Sequence, residues 1–213
     1  MDNNTNELSG GFSVETDFLD NEEPQQPKIN PKKEFIEWLG VIASALIIVV
    51  VLFGFIFRIA VIDGDSMKNT LHNGEVVVIT NLNYQPQQGD IVVISRNAQN
   101  IPNSVVEENG PIIKRVIATE FQIVDIDFET GIVYVDGTPV DEPYISSKTR
   151  DQYDVKFPVT VPKGHVFVLG DNRAVSLDSR NSRIGNNGMI DTRYILGHAV
   201  FRVFPLDKMG GLE

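Results

Sequence analysis

Lys114 stands in the middle of an apolar stretch, Pro-Ile-Ile-Lys-Arg-Val-Ile-Ala at 111–118. Side chains alternate along a strand, so Ile112 and Val116 share the face of Lys114, while Arg115 points with Ile113 and Ile117. A lysine on an apolar face is desolvated, and desolvation lowers the pKa of an ammonium group. The neutral amine that results can take the proton of a serine hydroxyl and so make it a nucleophile. On these residues alone, a strand lysine whose ammonium reaches solvent is the commoner arrangement. Composition does not choose the partner serine, since the chain has many.

Other chemistries are easier to exclude. The chain has no cysteine, which removes disulfides, thiolate catalysis, cysteine zinc sites and iron–sulfur clusters. Its three histidines, His72, His165 and His198, are far apart in sequence and make a poor metal set. There is no paired-carboxylate, Walker or dinucleotide pattern. Gly64-Asp65-Ser66 is not the Gly-x-Ser-x-Gly elbow, because Lys68 stands where the last glycine belongs. The formal net charge of −11 argues against a nucleic-acid partner, which calls for a basic footprint.

The motifs that do stand out form a set. Gly64-Asp65-Ser66-Met67-Lys68-Asn69-Thr70-Leu71 resembles the nucleophile box of the type I signal peptidases, and Lys114-Arg115-Val116-Ile117-Ala118 resembles their lysine box. Gly170-Asp171-Asn172-Arg173, with Ser176-Leu177-Asp178-Ser179-Arg180, is similar to their third box. Tyr194-Ile195-Leu196-Gly197 and Phe204-Pro205 are similar to their C-terminal strand. The boxes follow the family's order across positions 64–205, after an apolar span. The resemblance implies an antiparallel β peptidase domain with its active site near the membrane surface. It implies a Ser/Lys dyad that removes N-terminal signal peptides from exported preproteins at Ala-x-Ala-type sites, with no metal or cofactor. Carried over by position, Ser66 is the nucleophile and Lys114 the neutral general base. Ser176 matches the serine that orients the lysine, Asp171 the partner of Arg115, and Asp178 with Arg180 a structural ion pair. The family's oxyanion donor is the nucleophile's own N–H, here that of Ser66. Without the set, Ser66 reads as a turn serine, Asp171-Asn172 as an Asx-turn, and Asp178–Arg180 as a solvated pair.

The pattern has departures. A proline usual in the nucleophile box is replaced by Asn69, and a residue that fixes φ is thereby lost. Gly64 stands where some members place a second, hydroxyl-bearing oxyanion donor. The segment Arg180–Met189 is longer than the family's shortest form, and Gly185 and Gly188 compete for its glycine. By analogy the substrate is an extended peptide added as a strand. By position, Ile62, Met67, Leu71, Ile112 and Ile113 are candidates to line small pockets that reject large side chains.

The elements that must position these residues are short strands. Glu75–Thr80, Asp90–Ser95, Ile112–Thr119, Phe121–Asp127, Ile132–Val135, His165–Leu169 and His198–Phe204 are rich in Val, Ile and Phe and are bounded by Gly, Asn and Pro. Asp136-Gly137 is a hairpin-turn signal. The fold expected is mainly β, an antiparallel sheet or barrel-like domain over residues 59–213. Arg96–Gly110 and Asp141–Pro162 read as irregular insertions. Ahead of this lies Leu39–Phe57, 19 residues without a charge, about 28 Å long as a helix and sufficient for a bilayer core. Trp38 and the phenylalanines 53, 55 and 57 flank it as interfacial residues do. It is long for the apolar region of a cleavable leader, and no small-x-small site follows it before Arg58. Residues 35–58 are therefore expected to be a single-pass cell-membrane anchor. Lys28, Lys32 and Lys33 before it, against Arg58 and Lys68 after it, place the N-terminus in the cytoplasm and the peptidase domain outside. Residues 1–34 form the cytoplasmic tail. Seven acids and no Lys or Arg in residues 1–27 mark it as disordered. The partners expected are signal peptides, membrane lipid and the vicinity of the export channel. Two other readings use the same residues: an inactive membrane-anchored β domain that binds proteins, and a self-cleaving Ser/Lys repressor. The second would need a DNA-binding module where the tail and span lie.

Overall fold

The computed structural model describes residues 31–95 and 111–212. Helix α1, Pro31–Val51, carries most of the apolar run, and Leu52–Ile56 continue it as a π-helical turn. None of the side chains of α1 is buried. By length and composition Pro31–Gly54 is long and apolar enough to cross a membrane. Residues 31–34, read from the sequence as tail, form the first turn of this helix. Residues 1–30 and the insertion at 96–110 lie outside the described residues.

Among the described residues twelve strands follow: β1 Phe57–Val61, β2 Val76–Thr80, β3 Ile91–Ile94, β4 Ile112–Ala118, β5 Ile123–Asp127, β6 Ile132–Val135, β7 Thr138–Pro139, β8 Val159–Thr160, β9 His165–Leu169, β10 Ile190–Asp191, β11 Ile195–Phe204 and β12 Gly210–Gly211. Every pairing is antiparallel. The larger sheet runs β1-β2-β11-β3-β4-β9-β10, with β12 on β11, and the smaller runs β7-β6-β5-β8. The mainly β, antiparallel architecture behind one N-terminal apolar helix is thus the one the sequence led us to expect.

Several elements differ from the sequence reading. β1 was absent from it, because Phe57 closes an apolar run that reads as one piece with the helix. β11 starts at Ile195 rather than His198, the three added residues pairing with β3 across a bulge. β5 starts at Ile123 rather than Phe121, β8 lies within the segment 141–162 expected to be an irregular insertion, and the two-residue strands β10 and β12 are also additions to the sequence reading. Asp136-Gly137 do form the β6–β7 turn, with φ of 52° and 77°, the paired left-handed geometry of a type I′ hairpin.

The central strands are covered on both sides. All four residues of β3 and all but Ile112 of β4 are buried. One apolar cluster joins the small sheet to β4 and β9 through Ile117, Val124, Val133, Phe167 and Leu169. A second lies beneath the β1–β2 connection and contains Ile62, Met67, Leu71, Val77, Ile79, Val93 and Ile113. A third fills the far side of β3, β4 and β9. β4 is therefore a rigid rail, and what projects from it is held to within the tolerance of a packed core.

Candidate active site

β4 brings two adjacent cations into the interior. Lys114 is 4% exposed and Arg115 is 1% exposed. Neighbours on a strand point to opposite faces, and the two meet different partners. Lys114 Nζ donates to Ser66 Oγ at 3.0 Å and to the Ile113 carbonyl at 2.8 Å.

Ser66 sits in the turn between β1 and β2. The turn is closed by Lys68 N–H to Asp65 O at 3.2 Å and Leu71 N–H to Met67 O at 2.8 Å. Met67 and Leu71 are buried to 1% and 0% exposure and anchor it in the second cluster. With those two side chains turned inward, Ser66 is left facing Lys114. At the base, Ile62 N–H donates to Glu75 O and Gly74 N–H to Ile62 O. Asn69 has φ 50°, a left-handed conformation that proline cannot take and that asparagine tolerates better than most residues.

The third box follows β9 and closes on this turn. Asn172 N–H donates to Ser66 O at 3.0 Å, and Asn172 Nδ2 donates to Asp65 O at 3.1 Å. Gly170 lies so close that a Cβ there would stand 2.2 Å from Ser176 Oγ and 2.5 Å from Ser66 O. The Ser176 hydroxyl is buried and makes no hydrogen bond among the described residues, so its link to Lys114 is not formed in this structure.

On the opposite face of β4, Arg115 Nε and Nη2 grip both oxygens of Asp171 at 2.9 and 2.8 Å, and Nη1 donates to Gly89 O at 2.7 Å. Thr70, from the nucleophile turn, donates its hydroxyl to Asp171 and accepts from Arg115 Nη2. The Tyr144 ring lies under the guanidinium, 3.9 Å from its centroid. Burial, and then the Glu142 charge, push the Tyr144 hydroxyl pKa well up, so it remains neutral. Asp178 and Arg180 are both fully buried, with bonds of 2.8 and 3.0 Å. The pair is therefore not a solvated one. Asp178 also accepts from Gly170 N–H at 3.2 Å, and Arg180 donates to the carbonyls of Arg173, Ser176 and Asp151.

A cleft of about 900 Å³ opens over Ser66 and Lys114. Ile62, Ile112 and Ile113 line it, together with Ile79, Val93, Val175, Leu177, Ile184 and Leu196. Met67 and Leu71 are not on its wall but in the cluster beneath. β1 supplies one side through Arg58–Val61. Both contested glycines of the Arg180–Met189 segment are needed. A Cβ at Gly185 would meet Met189 O at 2.2 Å, and one at Gly188 would meet Ser179 O at 2.3 Å.

Several residues of the site escaped the sequence reading. Thr70 and Asn172 lie inside the recognised motifs but carried no role. Tyr144, Ser146 and Glu142 lie in the segment read as an insertion, where no periodicity marks a contact. That segment is instead fastened throughout: Glu142 and Thr149 to Arg173, Tyr144 to Arg115, Ser146 to Asp171 and Asn172, and Tyr153 to Arg180.

Three sequence boxes thus converge on a buried amine and a serine hydroxyl, and comparison with known proteins gives the class. Residues 35–204 match the signal peptidase family, peptidase S26, and the chain belongs to that family. Signal peptidase I of Bacillus licheniformis is 32% identical over 195 residues, covering 87% of this chain and 97% of the relative. A probable signal peptidase I-1 of Synechocystis sp. is 36% identical over 194 residues, covering 87% and 91%. Signal peptidase I S of Bacillus subtilis is 31% identical over 192 residues, covering 85% and 95%. Among solved structures, a signal peptidase I from Enterococcus faecalis aligns at 24% identity with a TM-score of 0.39, over 54% of this chain and 97% of that one.

Proposed function

We propose that this signal peptidase-family protein removes N-terminal signal peptides from exported preproteins with Ser66 as nucleophile and Lys114 as general base. The observation that carries the assignment is the 3.0 Å contact between a buried Lys114 Nζ and Ser66 Oγ. Burial works against the charged form of an amine, which suits it to accept a proton. In the first step Lys114 takes the hydroxyl proton as Ser66 Oγ bonds to the scissile carbonyl carbon. The charge on the carbonyl oxygen is met by the Ser66 N–H. The tetrahedral intermediate collapses, and the protonated Lys114 returns its proton to the leaving amine. A water activated by the same amine then hydrolyses the acyl-enzyme.

The substrate segment is an extended peptide with small residues at the −1 and −3 positions. β1 pairs with β2 alone among the described strands, so its other edge, along the cleft, is open to strand addition. Ile62, Ile112 and Ile113 are the wall residues that set side-chain size there. Asp171 holds Arg115, and the Asp178–Arg180 pair holds the third-box loop. Ser176, whose buried hydroxyl makes no hydrogen bond among the described residues, is the residue that by family position would orient the amine once that bond forms. The apolar helix anchors the chain in the cell membrane with its N-terminus cytoplasmic and residues 59–213 outside, in contact with lipid and close to the export channel.

The test is cleavage of a preprotein with an Ala-x-Ala site by the full-length protein in detergent. Wild type is expected to cut after the −1 alanine, and Ser66→Ala and Lys114→Met to leave the preprotein intact. Equal cleavage by wild type and Ser66→Ala would identify the wrong nucleophile. No cleavage by folded wild type would favour a binding domain.

A further inference from the structure

We infer that Asn172 is a positioning residue for the oxyanion donor, and that Ser146 braces it in the orientation in which it works. The inference rests on the Ser66–Lys114 reading above. The carbonyl of Asp65 and the N–H of Ser66 belong to one peptide unit, and that unit is planar. Whatever fixes Asp65 O therefore fixes the direction of the Ser66 N–H. Asn172 Nδ2 donates to Asp65 O at 3.1 Å, and Asn172 N–H donates to Ser66 O at 3.0 Å. One residue thus grips the peptide groups on both sides of the nucleophile. A hydrogen bond accepted at a peptide oxygen also polarises the amide, which strengthens its N–H as a donor.

The amide of Asn172 must present nitrogen, not oxygen, to Asp65, because a carbonyl only accepts. Ser146 holds the amide in that orientation at its other end: its hydroxyl, free to donate, does so to Asn172 Oδ1 at 3.1 Å, while its N–H donates to Asp171 O at 3.1 Å. Neither residue lines the cleft over Ser66 and Lys114. Their effect falls on the transition state, where charge develops on the substrate oxygen. A well-aimed donor there acts on kcat rather than on ground-state binding.

The experiment uses full-length protein with an Ala-x-Ala preprotein and variants Asn172→Asp, Asn172→Ala, Ser146→Ala and the Ser146→Ala/Asn172→Ala double variant. Two substrate-derived inhibitors are added: a peptide amide, and the corresponding peptide aldehyde, whose carbonyl carbon bonds to Ser66 Oγ as its oxygen takes the oxyanion position. Loss of one oxyanion donor costs about 100- to 1,000-fold. Loss of its aim in Asn172→Asp is expected to lower kcat by about 10- to 100-fold, with KM and peptide-amide affinity within about twofold of wild type. Aldehyde affinity should fall in step with kcat. Ser146→Ala should lose a few-fold, and the double variant should be no worse than Asn172→Ala, since one residue acts through the other. Wild-type kcat in folded Asn172→Asp would overturn the inference, as would parallel loss of kcat and peptide-amide affinity, or additive effects in the double variant. Should Asn172→Asp fail to fold, Ser146→Ala decides: a few-fold loss of kcat with KM unchanged supports the role, and unchanged kcat refutes it. Cleavage that survives Ser66→Ala would overturn the dyad instead.

Discussion

At the level of single residues, the site depends on atoms that are absent as much as on those present. Gly170 is the clearest instance. Its missing Cβ leaves room for Ser66 O and the Ser176 hydroxyl. Gly170→Ala must displace the Ser66 carbonyl, and if Ser66 is the nucleophile, as proposed, a shift of that order at a reacting group costs about 100-fold. The expected outcome is a folded protein whose kcat/KM falls at least that far, measured beside its thermal unfolding. Asn69 is the second instance. Because its φ is 50°, Asn69→Gly should retain stability, Asn69→Ala should lose about 1 kcal/mol, and Asn69→Pro should lose more than either by urea unfolding. The residue that departs from the family's usual proline is thus fitted to a turn that proline would break.

At the level of elements, β4 and the 141–162 segment carry the assembly. Asp171 is held by Arg115 through two short bonds, with no exposure at Asp171. Asp171→Ala leaves a buried guanidinium without its counter-charge, which costs about 3–5 kcal/mol. A lower urea midpoint in that variant, with the same slope, would show it. The β10–β11 connection makes a separate, pH-dependent contribution. Asp191 caps its short 3₁₀ turn and bonds Arg193, and the Arg193 side chain, followed by its N–H, draws the carboxyl down to about 2. A depressed carboxyl pKa stabilises the fold above the unfolded value, and that gain is lost as pH falls toward 2. The stability gap between wild type and Asp191→Asn should therefore narrow between about pH 4 and pH 2. Because the Arg193 side chain of the pair is exposed, salt should shrink the gap as well.

These elements also show what sequence can and cannot reveal. Lys114 was legible because a charge inside a run of Ile and Val is a local anomaly, and the seven strands named were legible from β-branched runs between turn residues. β1 was not, since its apolar residues follow the helix without a break until Arg58. The brace on Arg115 and Arg173 was not either. Tyr144, Glu142 and Thr149 are ordinary loop residues whose significance lies in partners at long sequence separation.

At the level of the whole molecule, the lack of cysteine offers a clean test of topology. Asp20→Cys and Asp207→Cys each introduce a single thiol. With a membrane-impermeant maleimide and intact cells, the thiol at 207 is expected to label and the thiol at 20 to label only after lysis. The reverse pattern would place the β domain on the cytoplasmic side. A further consequence follows from the position of β11. In the sheet it lies between β2 and β3, so the strand that follows the nucleophile turn is joined to the rest of the sheet by the last long strand of the chain. During synthesis, Ser66 and Lys114 are both made early, yet no strand pairing joins their two halves of the sheet until residues 195–204 have been added. The enzyme is therefore expected to be silent until β11 has been made. A message truncated just short of β11 should yield a protein that has both Ser66 and Lys114 and no activity.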